Sequence, residues 1–498
     1  MIQDSSSLDQ RNVAICSAFN GWLYAVYAYS QPDHGYITIL KSTDNGINWN
    51  VIGNGSVTFF SGEVITKLNI LACGSSVANL KLFVGWVFLD TVIHVSQAQV
   101  CRFNPDPFVF EAEILNDGNE INDLALKDDY NYPATNSNPF SLAVLYSKHG
   151  IQDSIIFRTS SNGGMSFDSR HVVDITTRHF NKVALNYGRS PSWGSGRYFA
   201  AWESKVNTNS STGHIYTAHT EPNFNSSLTY RICLDSLDPS TINKVRNPVI
   251  ACQYNNVDND SANFTEVVMF DKYLSSTHSY DLEGWYNLQP TTSRFFKNFS
   301  ISSPGNYHTE SDINFNPYSS TFMLTYYDST NQKLPYLTND FNFSNPNSWT
   351  NVSSAYNDNN KLKAPYPKVE IDYGQQDAIN VWSSEGTDGN GIALFDAPYS
   401  TYTGIPVNSN ENNEFNCKVY PNPCNTSFSI YFELTSTENV TIILSSLCGQ
   451  QVKILADNTY QKGNHRLTFN VLEESQGCYL YKIIAGNQVK TGKLVIIR

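Results

Sequence analysis

The chain holds only twelve arginines, and three of them, Arg11, Arg178 and Arg246, each stand just before a short apolar run. A planar guanidinium grips a carboxylate through two parallel hydrogen bonds, so three of them meeting at one point would make a site for an acidic ligand. Glu203, directly after Trp202, is the nearest candidate carboxylate to work beside them. The competing reading of the same residues is ordinary ion pairing at strand edges. With 30 tyrosines, no Tyr–Glu nucleophile pair stands out, and no acid/base Asp occupies a diagnostic position. The catalytic residues are left unassigned.

Other chemistries find less support. The run Asn255-Asn256-Val257-Asp258-Asn259-Asp260 has the oxygen-rich composition of a calcium loop but lacks the glycine and the terminal Glu of an EF-hand, so it reads as a solvated turn. His214 and His219 are five residues apart on one strand pattern and face opposite sides. Nine scattered cysteines include no C-x-x-C pair and read as small buried hydrophobes. H-E-x-x-H, G-x-S-x-G and P-loop patterns are absent. No metal or other cofactor is expected.

Composition narrows the class. Charged residues make up 15% of the 498, against about 25% in an average soluble chain, so Asn, Ser and Thr must carry the surface polarity. A net charge of −13 argues against nucleic acid as a partner. Thirty Tyr, 28 Phe and 8 Trp supply ample surface to bury, which excludes disorder. No apolar run reaches the ~18 residues of a spanning helix, so no transmembrane segment is expected. Met1 to Ser7 offer neither a basic nor an apolar export segment.

The elements that must position these side chains recur. An apolar, aromatic-tipped run appears at Trp22–Tyr27, Leu82–Val87, Ser141–Tyr146, Tyr198–Trp202, Glu266–Phe270, Phe322–Tyr327 and Ala378–Trp382. Shorter apolar strands such as Val13–Ile15 and Val369–Ile371 precede the copies, and others such as Tyr36–Leu40 and Ile392–Phe395 follow. The period is about 59 residues, generous against the ~40–50 of common propeller repeats. Helical periodicity is nearly missing. The expected fold is all-β: a β-propeller of seven blades, six or eight being the counting error, over residues 1–400. The last repeat lacks an outer strand, which residues before Arg11 are placed to supply.

Two repeats end their third strand in the same turn. Ser42-x-Asp44-x-Gly46-x-x-Trp49 and Ser160-x-Asn162-x-Gly164-x-x-Phe167 both fit S-x-[DN]-x-G-x-x-[WF]. The Asx side chain closes the turn on nearby N–H groups, glycine takes a positive φ, and the aromatic tucks between sheets. The pattern resembles the Asp-box, or BNR, repeat of sialidase-like propellers; a stretched copy runs from Thr338 to Trp349. The resemblance implies a structural role for Asp44 and Asn162, away from the ligand face. Sialidases also place three arginines around the substrate carboxylate from roughly comparable blades, although no R-I-P motif follows Arg11 or Arg246 here.

Beyond a polar linker, 401–416, the character changes. Residues 417–498 read as a small Ig-like β-sandwich. Their order of motifs resembles the type A C-terminal sorting domain of the type IX (Por) secretion system of Bacteroidetes. The matching residues are Pro421, Asn422 and Pro423 of V-Y-P-N-P, Gly449 after a central strand, Gly463 of G-x-H, Gly477 and Tyr479 of G-x-Y, and Lys493 of the terminal K-x-V. The resemblance implies the type IX machinery as a partner and a secreted or outer-membrane surface-attached product. It also implies an N-terminal export signal, whose absence points to a trimmed start. The expected work is binding an extracellular glycan or protein, with a sialidase-like glycoside hydrolase as the alternative.

Overall fold

Strands form wherever β-branched and aromatic runs are bounded by Asn, Asp, Gly and Ser. The computed structural model describes residues 2–3, 9–30, 34–44, 46, 48–60, 63–74, 76–129, 140–189, 196–207, 209–221, 224–238, 244–254, 265–288, 296–301, 308–317, 321–331, 334–339, 349–353, 367–372, 377–385, 391–396, 417–420, 424–434, 436–446, 451–472, 477–485 and 488–496. The stretched turn copy from Asp340 to Ser348, the Asn255–Asp260 run and the linker 401–416 lie outside these residues. The chain divides into two compact units, Met1–Tyr402 and Thr403–Arg498.

A two-residue strand, β1 (Ile2–Gln3), opens the first unit. The first sheet is β2 (Asp9–Ser17), β3 (Leu23–Ser30), β4 (His34–Ser42) and β5 (Asn50–Phe60). The second is β6 (Glu63–Cys73), β7 (Lys81–Asp90), β8 (Val95–Pro105) and β9 (Phe108–Asn119); the third is β10 (Ile121–Asp128), β11 (Leu142–Lys148), β12 (Asp153–Ser160) and β13 (His171–Thr176). The fourth is β14 (His179–Gly188), β15 (Arg197–Lys205), β16 (Gly213–Glu221) and β17 (Phe224–Cys233). The fifth is β18 (Val245–Cys252), β19 (Thr265–Leu274), β20 (Ser279–Leu288) and β21 (Phe296–Ser300), joined to the fourth by the single pair Gly213–Val245. The sixth is β22 (His308–Asn316), β23 (Thr321–Asp328), β24 (Tyr336–Asn339) and β25 (Thr350–Ser353). Finally, β26 (Lys368–Asp372), β27 (Asp377–Glu385) and β28 (Gly391–Asp396) form a sheet completed by β1, with Ile2 opposite Phe395.

Each recurrent aromatic-tipped run falls on the second strand of its sheet. That strand is covered on both faces, so it reads as continuously apolar rather than alternating. Along β15, every residue from Arg197 to Ser204 is buried. Tyr24, Trp86, Tyr146, Trp202 and Phe270, all on second strands, are among the largest side chains fully removed from water. The first strands lie against one another in cyclic order: β2 on β6, β6 on β10, β10 on β14, β14 on β18, β18 on β22, β22 on β26 and β26 on β2.

No shared backbone ladder joins these first strands among the described residues, so side chains make the connection. Asn69 donates to Leu124 O at 3.0 Å, Asn186 to Ile250 O at 3.1 Å and Asn314 to Val369 O at 3.4 Å, in each case reaching the next sheet. Asn186 and Asn314 also accept from the N–H of the following residue, at 2.8 and 2.9 Å. Nearer the strand starts, Asp123 accepts from Val183 N and Asp312 from Val369 N, both at 2.9 Å. Lys67 and Lys368 close on those carboxylates at 3.2 Å. Asn186→Ala should therefore cost about 1–3 kcal/mol, because it strands the buried Ile250 carbonyl. Urea denaturation measures it, and a loss under about 0.5 kcal/mol would remove this stitch from the account.

The two S-x-[DN]-x-G turns close in the same way. Gly46 N donates to Ser42 Oγ at 2.9 Å and Gly164 N to Ser160 Oγ at 3.1 Å. Asp44 accepts from Asn48 N at 2.8 Å, and Asn162 from Ser166 N at 3.2 Å. Gly46 and Gly164 have φ of 81° and 71°. A Cβ on Gly164 would come within 2.3 Å of the Phe83 ring of the second sheet, so space and backbone both demand glycine. Phe167 is buried in one cluster with Phe83 and Tyr146, and Trp49 donates to Gly46 O at 3.0 Å. Slight burial raises the Asp44 carboxyl, but the bonds from Asn48 and Ser42 outweigh it and hold the group below the usual carboxylate range. Its contribution is present above about pH 4 and is lost as pH falls through the lowered value. Asp44→Ala should thus destabilise near neutral pH and lose that effect in acid; an equal cost at both ends of a pH series of melts would refute the attribution.

The second unit is a three-stranded sheet, β29 (Cys417–Tyr420), β30 (Ser427–Leu434) and β33 (Gly463–Asn470), and a four-stranded sheet, β31 (Glu438–Ser446), β32 (Gln451–Tyr460), β34 (Gly477–Ala485) and β35 (Gln488–Ile496). Phe428, Ile430 and Phe432 of the first share a core with Val440, Ile442, Leu444, Ile483 and Leu494 of the second. Gly463 opens β33 at φ 128°, Gly477 opens β34 opposite Ile496, and Tyr479 packs on the core. Lys493 of β35 pairs with Leu480 of β34, while Pro421, Asn422, Pro423 and Gly449 lie outside the described residues.

Candidate functional site

Antiparallel pairing sorts the candidate residues to opposite ends of the sheets. In the first sheet Ser17, Leu23 and Ser42 share one end, which carries the Ser42–Trp49 turn; Asp9, Ser30 and Gly35 share the other. Arg11, opposite Ala28, belongs to the second end, although its side chain lies outside the described residues. Arg246, opposite Asp271, and Glu203, next to the end of β15, sit at the equivalent end of the fifth and fourth sheets. Arg178 directly precedes β14 there.

A register break recurs at this end of six first strands: Arg11/Val13, Ile65/Lys67, Ile121/Asp123, Phe180/Val183, Arg246/Val249 and Thr309/Asp312. A bulge bends its strand and re-aims the extra side chain. The residue it turns out is Asn12, Asn122, Asn181 or Asn247 in four sheets, with Thr66 and Glu310 in two. Asn12, Asn247 and Glu310 hold φ near 50° (54, 53 and 51°), a left-handed conformation that Asn tolerates best among side-chain-bearing residues. Asn12 bonds Ile65 O and Asn122 bonds Phe180 O, again one sheet onward.

Around Asn247 the bulge gathers charge. Its Nδ2 donates to Asp271 Oδ2 at 2.9 Å and to Glu310 Oε1 at 3.2 Å, while its backbone N–H reaches Glu203 Oε2 at 3.4 Å. Arg246 Nε donates to Asp271 at 3.1 Å, and its guanidinium lies 3.5 Å from the centre of the Tyr280 ring. Asn181 donates to Glu203 Oε2 at 3.4 Å and Lys205 approaches Oε1 at 3.6 Å. Burial pushes the Asp271 carboxyl up to about 8, with the charge of Glu310 adding to it and Arg246 and Asn247 opposing. Burial likewise raises Glu203, against Lys205 and the Asn247 N–H. Two carboxyls biased toward the protonated form suit proton donation in principle. Both, however, are fully enclosed, Glu203 against Asn247 of the next sheet and Asp271 against Arg246 and Asn247 of its own.

The expected arginines divide. Arg246 and Glu203 are brought together through Asn247. Arg178 lies apart: its Nη1 is buried without a hydrogen bond, and its charge acts on Tyr216, whose hydroxyl burial pushes up to about 12. Beside it Arg231 pairs with Asp174, which also accepts from Trp202 Nε1 at 3.2 Å. Among the described residues no bond joins Arg178 to Arg246.

Two further clusters have donor sets that fit a metal ion. His149 and His179 flank Asp153, Nδ1 to carboxylate oxygen, at 2.5 and 2.9 Å. His214 Nδ1 lies 2.8 Å from Asp235 Oδ2, and Cys233 Sγ lies 3.2 Å from Oδ1 and 3.9 Å from His214 Nδ1. The bond to Asp235 and then that to Cys233 push His214 up to about 9, against burial. Cys16, Cys73, Cys101, Cys252 and Cys424 are buried and unbridged, as small hydrophobes should be; Cys233 is only half-buried. The Asn bulge was visible in the sequence as the recurrent Asn at 12, 122, 181 and 247 before an apolar strand. The His and Cys clusters gave no such signal, because their members come from separate strands.

Residues 418–497 match the secretion system C-terminal sorting domain. No curated protein matches the chain. Among solved structures it is similar to an α-L-arabinanase of Penicillium chrysogenum complexed with arabinobiose, at 12% identity and TM-score 0.42, covering 78% of this chain and 92% of that one. It is also similar to polysaccharide lyase Uly1, at 8% identity and TM-score 0.45, covering 78% and 90%. A fungal lectin of Aleuria aurantia with a six-bladed β-propeller fold gives 10% identity and TM-score 0.36, covering 69% and 95%. Likenesses this distant carry no functional argument.

Asp271 yields a pH test. Its raised pKa means that the unfolded chain gives up this proton near pH 4 while the native state keeps it to about pH 8, so its contribution to stability falls between those limits and is level above them. In Asp271→Asn that part of the slope should vanish, and the variant should gain on the parent as pH rises. Urea midpoints at about pH 5, 7 and 9 decide it; a difference independent of pH counts against a proton held at Asp271.

Proposed function

We infer that the sorting domain directs secreted or cell-surface export through the type IX route. We propose that residues 1–400 form a seven-bladed, Asp-box-type β-propeller, followed by the linker 401–416 and an Ig-like sorting domain at 417–498. On this reading the propeller is displayed by a bacterium of the Bacteroidetes and binds an extracellular glycan at the end of the ring where the first strands begin. The observation that carries binding over hydrolysis is the enclosure of Glu203 and Asp271: Glu203 accepts from Asn247 N of the next sheet, and Asp271 is held within its own sheet by Arg246 and Asn247. Part-exposed groups there include Arg246 over Tyr280, Lys205 and the half-exposed His149, alongside Glu310. Guanidinium and phenol offer a sugar hydroxyl or carboxylate both hydrogen bonds and a ring to pack on.

The alternative, a sialidase-like glycoside hydrolase, draws on Arg246 and Glu203 meeting at Asn247. It needs Arg11 and Arg178 to join them around one carboxylate, whereas the Nε of Arg246 is engaged by Asp271. A glycan array probed with the full chain should show carbohydrate binding that falls at least about tenfold in Arg246→Ala, the loss expected of one charged hydrogen-bond donor. Silence across the array sinks glycan binding and leaves a protein ligand. Release of sugar from an array glycan, abolished in Glu203→Gln, would establish the hydrolase instead. Export is tested separately: a chain lacking 418–497 should remain inside the cell envelope, and surface display without those residues would contradict the sorting role.

A further inference from the structure

We propose that His214, Cys233 and Asp235 form a zinc site at the outer edge of the fourth sheet. His214 is the second residue of β16 and Cys233 the last of β17; the two strands run antiparallel, so the start of one lies beside the end of the other. Asp235 opens a three-residue 3₁₀ turn just beyond and is fully buried. Its Oδ1 is fixed by Ile215 N at 3.1 Å, which aims the carboxylate at the other two side chains. All three ligand atoms lie within 4.8 Å of one another.

The triangle has the right size. With Zn–S of about 2.3 Å and Zn–N and Zn–O of about 2.0–2.2 Å, tetrahedral coordination sets the ligand atoms about 3.3–3.6 Å apart. His214 Nδ1 lies 2.8 Å from one Asp235 oxygen, Cys233 Sγ 3.2 Å from the other, and nitrogen and sulfur are 3.9 Å apart, so a small rotation of the carboxylate and shifts of about half an ångström bring one oxygen into the set. The charges also close: a thiolate and a carboxylate neutralise a dication, and the imidazole binds neutral. The thiol proton and the Nδ1 proton go to solvent. A sulfur, nitrogen and oxygen set suits zinc and disfavours calcium or magnesium, which take oxygen alone. Three protein donors leave a fourth position for water.

The rival cluster is weaker on internal grounds. The Asp153–His179 pair recurs as Asp281–His308, at 2.9 Å, between the fifth and sixth sheets. Such a repeat marks a tie between sheets, to which His149 adds a half-exposed ring. Among the described residues the Cys-containing cluster has no counterpart in another sheet.

The test uses the full chain, chelator-stripped and kept reduced with a phosphine, titrated with Zn²⁺ and with Co²⁺ as the spectroscopic probe. One equivalent of Zn²⁺ should bind and raise the melting temperature, and Co²⁺ should produce a thiolate charge-transfer band in the near ultraviolet. Cys233→Ser should abolish the band and weaken Zn²⁺ binding by more than the 10–100-fold typical of losing an outer partner. His214→Gln serves the same purpose if the serine variant fails to fold. His149→Ala should leave both signals unchanged. Absence of zinc binding, binding that survives Cys233→Ser, or binding lost in His149→Ala each overturns the proposal.

Discussion

Among the described residues neighbouring first strands in the large unit share no backbone ladder beyond a single bridge of Arg189 with Tyr254, so their inward-facing polar groups find partners some other way. Unsatisfied buried carbonyl and amide groups cost more than the bonds that replace them contribute, so this requirement governs the choice of residue. Asn69, Asn186 and Asn314 answer it with one side chain each, spanning the gap to the next sheet. Asp123 and Asp312 answer it with a carboxylate fixed by the next sheet's N–H and a lysine. The low charge and abundant Asn of the sequence follow from this, since an amide both donates and accepts without leaving a net charge inside.

The same constraint explains why residues that resemble a catalytic set are enclosed. The bulge that turns out Asn247 also brings Arg246, Asp271, Glu203 and Glu310 into one network. Glu203 and Glu310 each close a gap between sheets onto Asn247, while Asp271 is held by Arg246 and Asn247 of its own sheet. A carboxyl held in this way cannot also move to meet a substrate, and the raised pKa of Glu203 and of Asp271 is a consequence of their burial.

What could be read in advance depended on whether a feature is local in the chain. The second strands were legible because burial on both faces makes them continuously apolar, and the turns at Ser42 and Ser160 because all their bonds fall within a few residues. The sorting domain was legible for a similar reason, its motifs lying in order along about eighty residues. The Asn247 network was only half legible: Arg246 and Glu203 stood out by type, but Asp271 and Glu310 come from other strands. His214 illustrates the limit. Taken with His219 it pointed to opposite faces, and its real partners, Cys233 and Asp235, lie about twenty residues on across a strand pairing.

The pairing of β1 with β28 has a kinetic meaning. Ile2 and Phe395 meet across nearly the whole length of the unit, among the most non-local contacts the chain can make. Such contacts form late, because the entropy of closing a long loop is spent before any bond rewards it. A chain delivered from its N-terminus therefore presents this strand long before the sheet it completes and must hold it unpartnered until that sheet emerges. Until then the final sheet has an open edge, and unpaired edges are where β-rich chains join their neighbours. Pairing of Ile2 and Gln3 with Phe395 and Leu394 replaces part of that long edge by a strand of two residues, too short to be a good template for another chain.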